Sequence, residues 1–134
     1  MIAPFKIDSV AIMLVRDDCV SLALRYDRPT FPFTWAFAGG SIENGEIWIQ
    51  AAQRELLEET GLSVLQKHFK FISYAFEGGQ RCAVFKVNRW LFSENPQAAE
   101  QEKHTPWQWI NKKDVHCLNL MPGVERIING IYII

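Results

Sequence analysis

The chain has 134 residues, of which 49% are hydrophobic and 22% are charged, and its formal net charge is −1. This length and balance predict one globular domain over residues 1–134, and the small charge argues against binding to nucleic acid through non-specific phosphate contacts. The three cysteines, Cys19, Cys82 and Cys117, are widely spaced and odd in number, so they predict neither a disulfide framework nor a zinc site.

The N-terminal residues, MIAPFKID, lack the basic start and apolar run of a signal peptide. The longest apolar run, residues 10–15, is far too short to span a bilayer. We therefore expect a cytoplasmic protein with no membrane partner.

Two runs of β-branched and apolar residues, at 6–15 and 20–24, are separated by a spacer whose middle is polar and turn-prone. This arrangement predicts a β-hairpin. The unbroken apolar stretch in the first run predicts a strand that is buried on both faces.

Residues 26–34, YDRPTFPFT, contain two prolines and predict a loop. The run WAFAGG follows, beginning at Trp35. Three aromatic side chains in this region, Phe31, Phe33 and Trp35, can either stack on a substrate base or pack within the protein, and packing is the commoner role of such clusters.

The stretch 40–62, GSIENGEIWIQAAQRELLEETGL, predicts a helix over about residues 47–60 that ends at Gly61. Within it, the spacing of Glu55, Glu58 and Glu59 at i, i+3 and i+4 places three carboxylates on one face. Like charges at this spacing destabilise a helix by a few tenths of a kcal/mol, roughly, unless a cation lies among them. Oxygen ligands in this number suit Mg²⁺ or Mn²⁺ better than Zn²⁺.

An apolar stripe of Ile49, Ala52 and Leu56 would bury the helix against a sheet. Two other features favour a metal site over a solvated acidic face, and the first is that glycines flank the helix, at positions 39, 40 and 61. Arg54 can reach Glu58 at i+4 and orient its carboxylate while the other glutamates bind metal.

The same stretch fills every fixed position of the Nudix box, from Gly40 and Glu46 through REL-EETGL, and the chain therefore resembles the Nudix hydrolase superfamily. The preceding WAFAGG resembles the W-x-F-P-G-G run of many relatives, with Ala38 in place of the usual proline. This replacement removes a φ constraint from the turn before the box.

The resemblance implies hydrolysis of a nucleoside diphosphate linked to another group. In the superfamily, the arginine corresponding to Arg54 is thought to hold a catalytic glutamate, and the carbonyl of the glycine matching Gly39 can bind metal. Arg25 matches an arginine that contacts substrate phosphates in MutT-type members, although a surface arginine at a strand end is an equal alternative. We expect Mg²⁺, or Mn²⁺ in its place, to be bound by Gly39, Glu55, Glu58 and Glu59.

After the box, residues 63–76 and 80–92 are rich in β-forming residues, and Glu77-Gly78-Gly79 is a turn signal. A long hairpin is therefore predicted. Residues 93–105 are polar, include Pro96 and lack periodicity, so we expect a loop that crosses the surface near the active site.

The segment EQEKHTPWQWI at 100–110 resembles the E-P-x-K-x-x-x-W-x-W segment of nucleotide-sanitising Nudix enzymes. In MutT-type relatives an acidic residue of this loop joins or supports the metal cluster. Our first choice for that residue, as metal ligand and catalytic group, is Glu102, and our second is Glu100; a solvated acidic loop is the alternative. Either Glu55 or the loop glutamate would act as general base.

The remaining side chains of this region are expected to be structural. Trp107 and Trp109 lie on one side of a short strand and should pack on the sheet. His104 has no Cys or His partner at ligand spacing, so we expect it to be structural or exposed, as we do for His68 and His116.

From about Leu120 the sequence MPGVERIINGI predicts a last helix. Its expected apolar stripe comprises Val124, Ile127, Ile128 and Ile131. Together the elements predict an α/β protein with the Nudix fold, an α/β/α sandwich in which a mixed sheet lies between helices. The apolar end IYII is compatible with a monomer or a homodimer.

Substrate identity follows from the resemblance alone. Small size, Arg25 and the segment at 100–109 favour a MutT-like enzyme that cuts a nucleoside triphosphate to the monophosphate and pyrophosphate. The alternative is a Nudix enzyme for dinucleoside polyphosphates, ADP-ribose or RNA 5′ ends. A non-catalytic binding module would have no need of three mutually repelling carboxylates. The base stays open, because Asn119 lies several residues before the position of the asparagine that reads oxidised guanine in MutT.

Overall fold

A mixed β-sheet organises the protein, whose computed structural model describes residues 5–77, 79–88, 92, 94–97 and 99–134. The strands are β1 (Ser9–Arg16), β2 (Cys19–Leu24), β3 (Trp35–Ala36), β4 (Ala38–Ser41), β5 (Lys70–Glu77), β6 (Gln80–Asn88) and β7 (Gln108–Asn111). The helices are α1 (Trp48–Thr60) and α2 (Val124–Ile128), and 3₁₀ turns occupy Gln66–His68 and Lys112–Cys117.

Strand β1 is central to the sheet, as its apolar sequence predicted. It pairs antiparallel with β2 and β4 and parallel with β6, in the order β3-β2-β1-β6-β5 with β7 beside β2. Its residues are almost all buried, because both faces of the sheet are covered. The predicted first hairpin, β1–β2, and the long hairpin β5–β6 are confirmed.

Alternate residues of β1 pack in two separate hydrophobic cores, one on each face of the sheet. Ile12 and Leu14 pack with Leu56 of α1 on one face, whereas Met13 packs with Ile127 of α2 on the other. This alternation is the period-2 geometry of a strand. It confirms the predicted α/β class, with helices on both faces of a mixed sheet.

Helix α1 is close to its predicted span and is followed by Gly61 in the left-handed conformation, at φ 75°. Helix α2 differs from its prediction, because it spans only Val124–Ile128. Gly130, at φ 77°, follows it, and Ile131 is 59% exposed rather than part of a buried stripe. The chain turns away here because a left-handed residue cannot continue a right-handed helix.

Three predicted features fall partly outside the described residues. They are the turn at 77–79, which lacks residue 78, the β-rich run at 80–92, which lacks residues 89–91, and the loop at 93–105, which lacks residues 93 and 98. Within the described ranges, no helix combines the length and apolar character needed to cross a membrane. The three cysteines are free thiols, as expected from their spacing.

Candidate active site

A cavity of about 420 Å³ lies where β4, helix α1, the loop after β2 and the loop before β7 approach one another. Its volume is within the range of small-molecule sites. Three chemically different walls surround it. The carboxylates are Glu55, Glu59 and Glu100, the cations are Arg25, Arg28 and Lys103, and the apolar residues include Phe31, Phe37, Met121, Val124 and Ile127.

Arg54 organises the carboxylates of helix α1. Its Nε and Nη2 donate to the two oxygens of Glu46, each at 2.8 Å, while Nη1 donates to Glu55 Oε1 at 2.8 Å. The predicted contact with Glu58 is longer, at 3.3 Å. Nη2 also donates to the Ser41 carbonyl oxygen at 2.9 Å. Arg54 therefore joins the helix to the preceding loop and fixes one oxygen of Glu55.

The charges around Arg54 respond to these contacts. Its hydrogen bonds lower the pKa of Glu46 to about 2, with a further contribution from the Glu43 backbone N–H. The pKa of Arg54 is raised, chiefly by Glu46. Burial raises the pKa of Glu55, although its hydrogen bond from Arg54 opposes that change. The donors of Arg54 are therefore committed to glutamates and to the Ser41 carbonyl oxygen.

Glu59 is the most deeply buried carboxylate of the site, with an exposed fraction of 7%. Burial, followed by the charges of Glu55 and Glu100, raises its pKa to about 8, although the Gly39 backbone N–H donates to its Oε1 and opposes the change. The Trp107 indole donates to the Glu59 backbone oxygen at 3.1 Å. A bound cation would reverse the electrostatic penalty on this side chain.

His104 lies beside this site, close to Glu59, although no feature of the sequence predicted it there. It is 4% exposed, and its ring packs on Trp107 at 4.8 Å between centroids. Its Nδ1 lies 2.7 Å from the Thr105 carbonyl oxygen and donates to it. Its Nε2 is buried, has no hydrogen-bond partner in the described part of the chain, and lies 4.0 Å from Glu59 Oε2. Only the fold brings these two side chains together.

Arg25 is held in place by the loop that follows it. Its Nη2 donates to the Thr30 carbonyl oxygen at 2.9 Å, and backbone bonds join Arg25 to Phe33 and Thr34. Phe31 and Phe33 adopt left-handed φ values of 46° and 57°, a strain of about 1–3 kcal/mol each. The loop is therefore wrapped around Arg25.

The structure places different aromatic residues at the cavity from those the sequence suggested. Phe33 is 56% exposed, and Trp35 packs in the core on the α2 side of the sheet, so neither lines the cavity. Phe31 and Phe37 line it instead. The left-handed backbone of the loop directs neighbouring side chains differently from an extended segment, which the sequence pattern does not reveal.

The loop before β7 contributes Glu100 rather than Glu102 to the cavity. Glu100 lines the cavity and pairs with Lys103 at 2.7 Å, and the Lys103 N–H donates to the Glu100 carbonyl oxygen. This turn leaves Glu102 exposed. The second choice from sequence is thus the residue that faces the helix carboxylates.

Asn119 does not line the cavity either. Its side-chain Nδ2 donates to the Phe33 carbonyl oxygen at 3.1 Å. The backbone carbonyl oxygen of Asn119 accepts from the Trp35 N–H. The side chain is therefore committed to holding the aromatic loop and is not available to read a base in this arrangement.

The residues around Glu59 fit a hard divalent cation in chemistry. The cavity is lined by four residues that offer oxygen donors, namely Gly39, Glu55, Glu59 and Glu100. Glycine at position 40 leaves room for the Glu55 carboxylate, because a Cβ there would lie 2.5 Å from it. Glu58 is 48% exposed and does not line the cavity. Among the residues that the structure describes, no three His, Cys, Asp or Glu side chains form a ready-made metal site, so binding requires side-chain rotation.

Comparison with known proteins places this geometry in context. A family model described as NUDIX domain matches residues 6–129. RNA pyrophosphohydrolase from Helicobacter pylori is 31% identical over 98 residues, which cover 60% of this chain and 61% of that protein. The chain thus spans about three-fifths of that relative's length. Nucleoside triphosphatase NudI from Escherichia coli is 24% identical over 119 residues, covering 80% and 84% of the two chains.

A solved structure shares the fold over nearly the whole chain. The MutT NUDIX hydrolase from Burkholderia pseudomallei superposes with a TM-score of 0.76 and 21% identity, covering 92% of this chain and 96% of the other. The arrangement of α1 and the sheet around the cavity is therefore a known architecture.

Proposed function

Because this chain belongs to the Nudix family of hydrolases, we propose that it cleaves a nucleoside triphosphate to the monophosphate and pyrophosphate, as a MutT-like enzyme. The observation that carries the proposal is a single cavity that is lined by carboxylates, by cations and by apolar residues. A triphosphate is attracted by the cations, and its base is accommodated by the apolar residues. The Escherichia coli relative, a nucleoside triphosphatase, supports the same substrate class.

The proposal includes a divalent ion, since Nudix hydrolases generally use one, and we infer Mg²⁺ with Mn²⁺ as substitute. The residues that would hold it are Gly39, through its carbonyl oxygen, and Glu55, Glu58, Glu59 and Glu100. When bound, such an ion neutralises phosphate oxygens and lowers the pKa of a water molecule. Glu102 is exposed, so Glu100 replaces it as the loop carboxylate of this proposal.

Glu55 is the general base that the geometry favours. It lines the cavity, and Arg54 holds its Oε1, so that Oε2 is the oxygen left to accept a proton from the attacking water. Burial raises the pKa of Glu55, although the hydrogen bond from Arg54 opposes that change. Glu100 is the alternative base, since one of its oxygens pairs with Lys103 at 2.7 Å and the other is left to accept a proton, as in Glu55.

A second candidate function is hydrolysis at the 5′ end of RNA, which the Helicobacter pylori relative favours. RNA binding through several phosphates would weaken steeply with salt, whereas binding of one nucleotide would depend on salt much less. The net charge of −1 favours the nucleotide.

A substrate panel with Mg²⁺ tests the proposal. It should contain canonical and oxidised nucleoside triphosphates, ADP-ribose, diadenosine polyphosphates and triphosphorylated RNA, with each product identified. We expect monophosphate and pyrophosphate from at least one nucleoside triphosphate, with kcat/KM highest in that class. Preferential turnover of RNA with a steep salt dependence would establish the second candidate, and turnover of only ADP-ribose or dinucleotides would contradict both.

A further inference from the structure

The cations that line the cavity are only partly neutralised by ion pairs. Arg25, Arg28 and Lys103 line the same space, and of these only Lys103 forms an ion pair among the described residues, with Glu100. Burial, followed by the charge of Arg28, lowers the pKa of Arg25. Arg28 also opposes the rise in the pKa of Lys103 that its hydrogen bond to Glu100 causes. Arg28 therefore repels both Arg25 and Lys103, whereas Glu59 attracts both.

One donor of these cations lacks a partner. The Nε of Arg25 is buried and has no hydrogen bond within the described ranges of the chain, although Nη2 of the same guanidinium is fixed by Thr30. A buried and unpaired N–H of a charged group is unfavourable. An anion that enters the cavity would relieve the repulsion that Arg28 exerts on Arg25 and Lys103.

The two loops that carry Arg28 and Lys103 are joined directly. The Tyr26 N–H donates to the Lys103 carbonyl oxygen at 3.0 Å, and a β-bridge pairs Arg25 with His104. The strained loop containing Phe31 is in turn fastened to Arg25. The fold thus holds Arg28 and Lys103 together at the cavity although they are distant in sequence.

We propose that Arg28, with Lys103, binds the free terminal phosphate of the substrate, so that the site selects nucleotides whose phosphate chain is uncapped. A terminal phosphate carries about two negative charges near neutral pH, whereas a phosphate esterified on both sides carries only one. Arg28 forms no ion pair among the described residues, and such a cation attracts the more highly charged phosphate more strongly. This inference rests on the proposed function and narrows its substrate class, because ADP-ribose and dinucleoside polyphosphates have no free terminal phosphate.

The test compares a nucleoside triphosphate that the enzyme hydrolyses with the methyl ester of its γ-phosphate. For the wild type we expect kcat/KM to be about 10- to 100-fold higher for the free triphosphate, since a hydrogen bond to a charged group is of that magnitude. Arg28→Gln should lower kcat/KM for the triphosphate by a similar factor, leave the ester nearly unchanged, and so abolish the preference. Arg28→Lys should restore part of it, because the charge is kept.

Lys113→Gln is the matched control, since Lys113 is an exposed cation on the 3₁₀ turn at Lys112–Cys117; it should alter neither substrate. If Arg28→Gln does not fold, as judged by circular dichroism, Lys103→Gln is measured in its place. Equal kcat/KM for ester and free triphosphate in the wild type, or an equal loss of both in the variant, would overturn the inference.

Failure of the proposed function is distinguishable from failure of this inference. If the wild type hydrolyses no nucleoside triphosphate, the proposed function fails, and the affinities of ATP and its γ-methyl ester are then compared by calorimetry. Tighter binding of ATP that disappears in Arg28→Gln would still support recognition of the terminal phosphate. Equal affinities would overturn it.

Discussion

The carboxylate wall and the cationic wall of the cavity are built in opposite ways. The carboxylates of helix α1 are neighbours in sequence, and Arg54 of the same helix contacts Glu55 and Glu58 directly. The cations come from two loops joined by backbone hydrogen bonds, and Arg25 keeps a buried N–H without a partner among the described residues. Carboxylates of the helix are paired with a cation of the same helix, whereas Arg25 and Arg28 on the loop form no ion pair among the described residues.

The largest expected effect tests whether the helix wall performs the chemistry. Glu55→Gln should lower turnover in Mg²⁺ by about 10²- to 10⁴-fold, the usual contribution of a general base. Glu58→Gln should fold normally, since Glu58 is 48% exposed, yet lose most of its turnover if side-chain rotation makes it a ligand. Steady-state kinetics on both variants is the measurement, with Glu125→Gln, an exposed carboxylate of α2, as control.

The outcome for these variants separates the roles of the two glutamates. Wild-type turnover in Glu58→Gln alone would limit the metal ligands to the carboxylates that line the cavity. Wild-type turnover in both variants would remove the metal mechanism.

The next effect concerns what holds the helix wall in place. Leu56 is fully buried between α1 and the sheet, so Leu56→Ala should lower the free energy of unfolding by about 2–5 kcal/mol. Leu57 is adjacent but 49% exposed, and Leu57→Ala should change it by about 0.5 kcal/mol or less. Urea unfolding followed by circular dichroism compares the two; equal losses would contradict the packing of α1 described above.

A smaller effect is expected at His104, whose Nε2 lies 4.0 Å from Glu59 Oε2. His104→Ala should raise the Mg²⁺ concentration for half-maximal activity by about 10- to 100-fold, the usual cost of losing a residue that orients a ligand. His104→Gln should retain part of the wild-type response, because its amide can occupy the position of Nε2 beside Glu59. If both variants lose thermal stability equally but keep the wild-type Mg²⁺ response, His104 supports only the loop.

The smallest effect tests the charge balance around Arg54. The folded-state pKa of Glu46 is about 2, below the ordinary value of about 4.3, so its carboxylate stabilises the fold above pH 4.3, roughly, and this contribution is lost as pH falls towards 2. The difference in stability between wild type and Glu46→Gln should therefore be largest at neutral pH and shrink in acid. Urea unfolding from pH 7 to pH 2.5 measures it, and a constant difference would contradict the ion pair.

The sequence predicted the elements whose geometry is local. Apolar and β-branched runs located both hairpins, and the spacing of Glu55, Glu58 and Glu59 placed them on one helix that ends at Gly61. Helix α2 was overestimated because its apolar pattern continues past Asn129 and Gly130, where the backbone no longer does. Periodicity reports which residues can share a face, but not where the chain leaves it.

By itself, then, the sequence determined the two hairpins, the acidic helix and the partner of its carboxylates, because each of these depends mainly on residues close to one another in the chain. Only the tertiary structure decided that Glu100 rather than Glu102 faces the helix, that Phe31 and Phe37 line the cavity, and that His104 approaches Glu59. Those choices depend on how distant loops close over the sheet, and on left-handed backbone at Phe31 that phenylalanine does not favour.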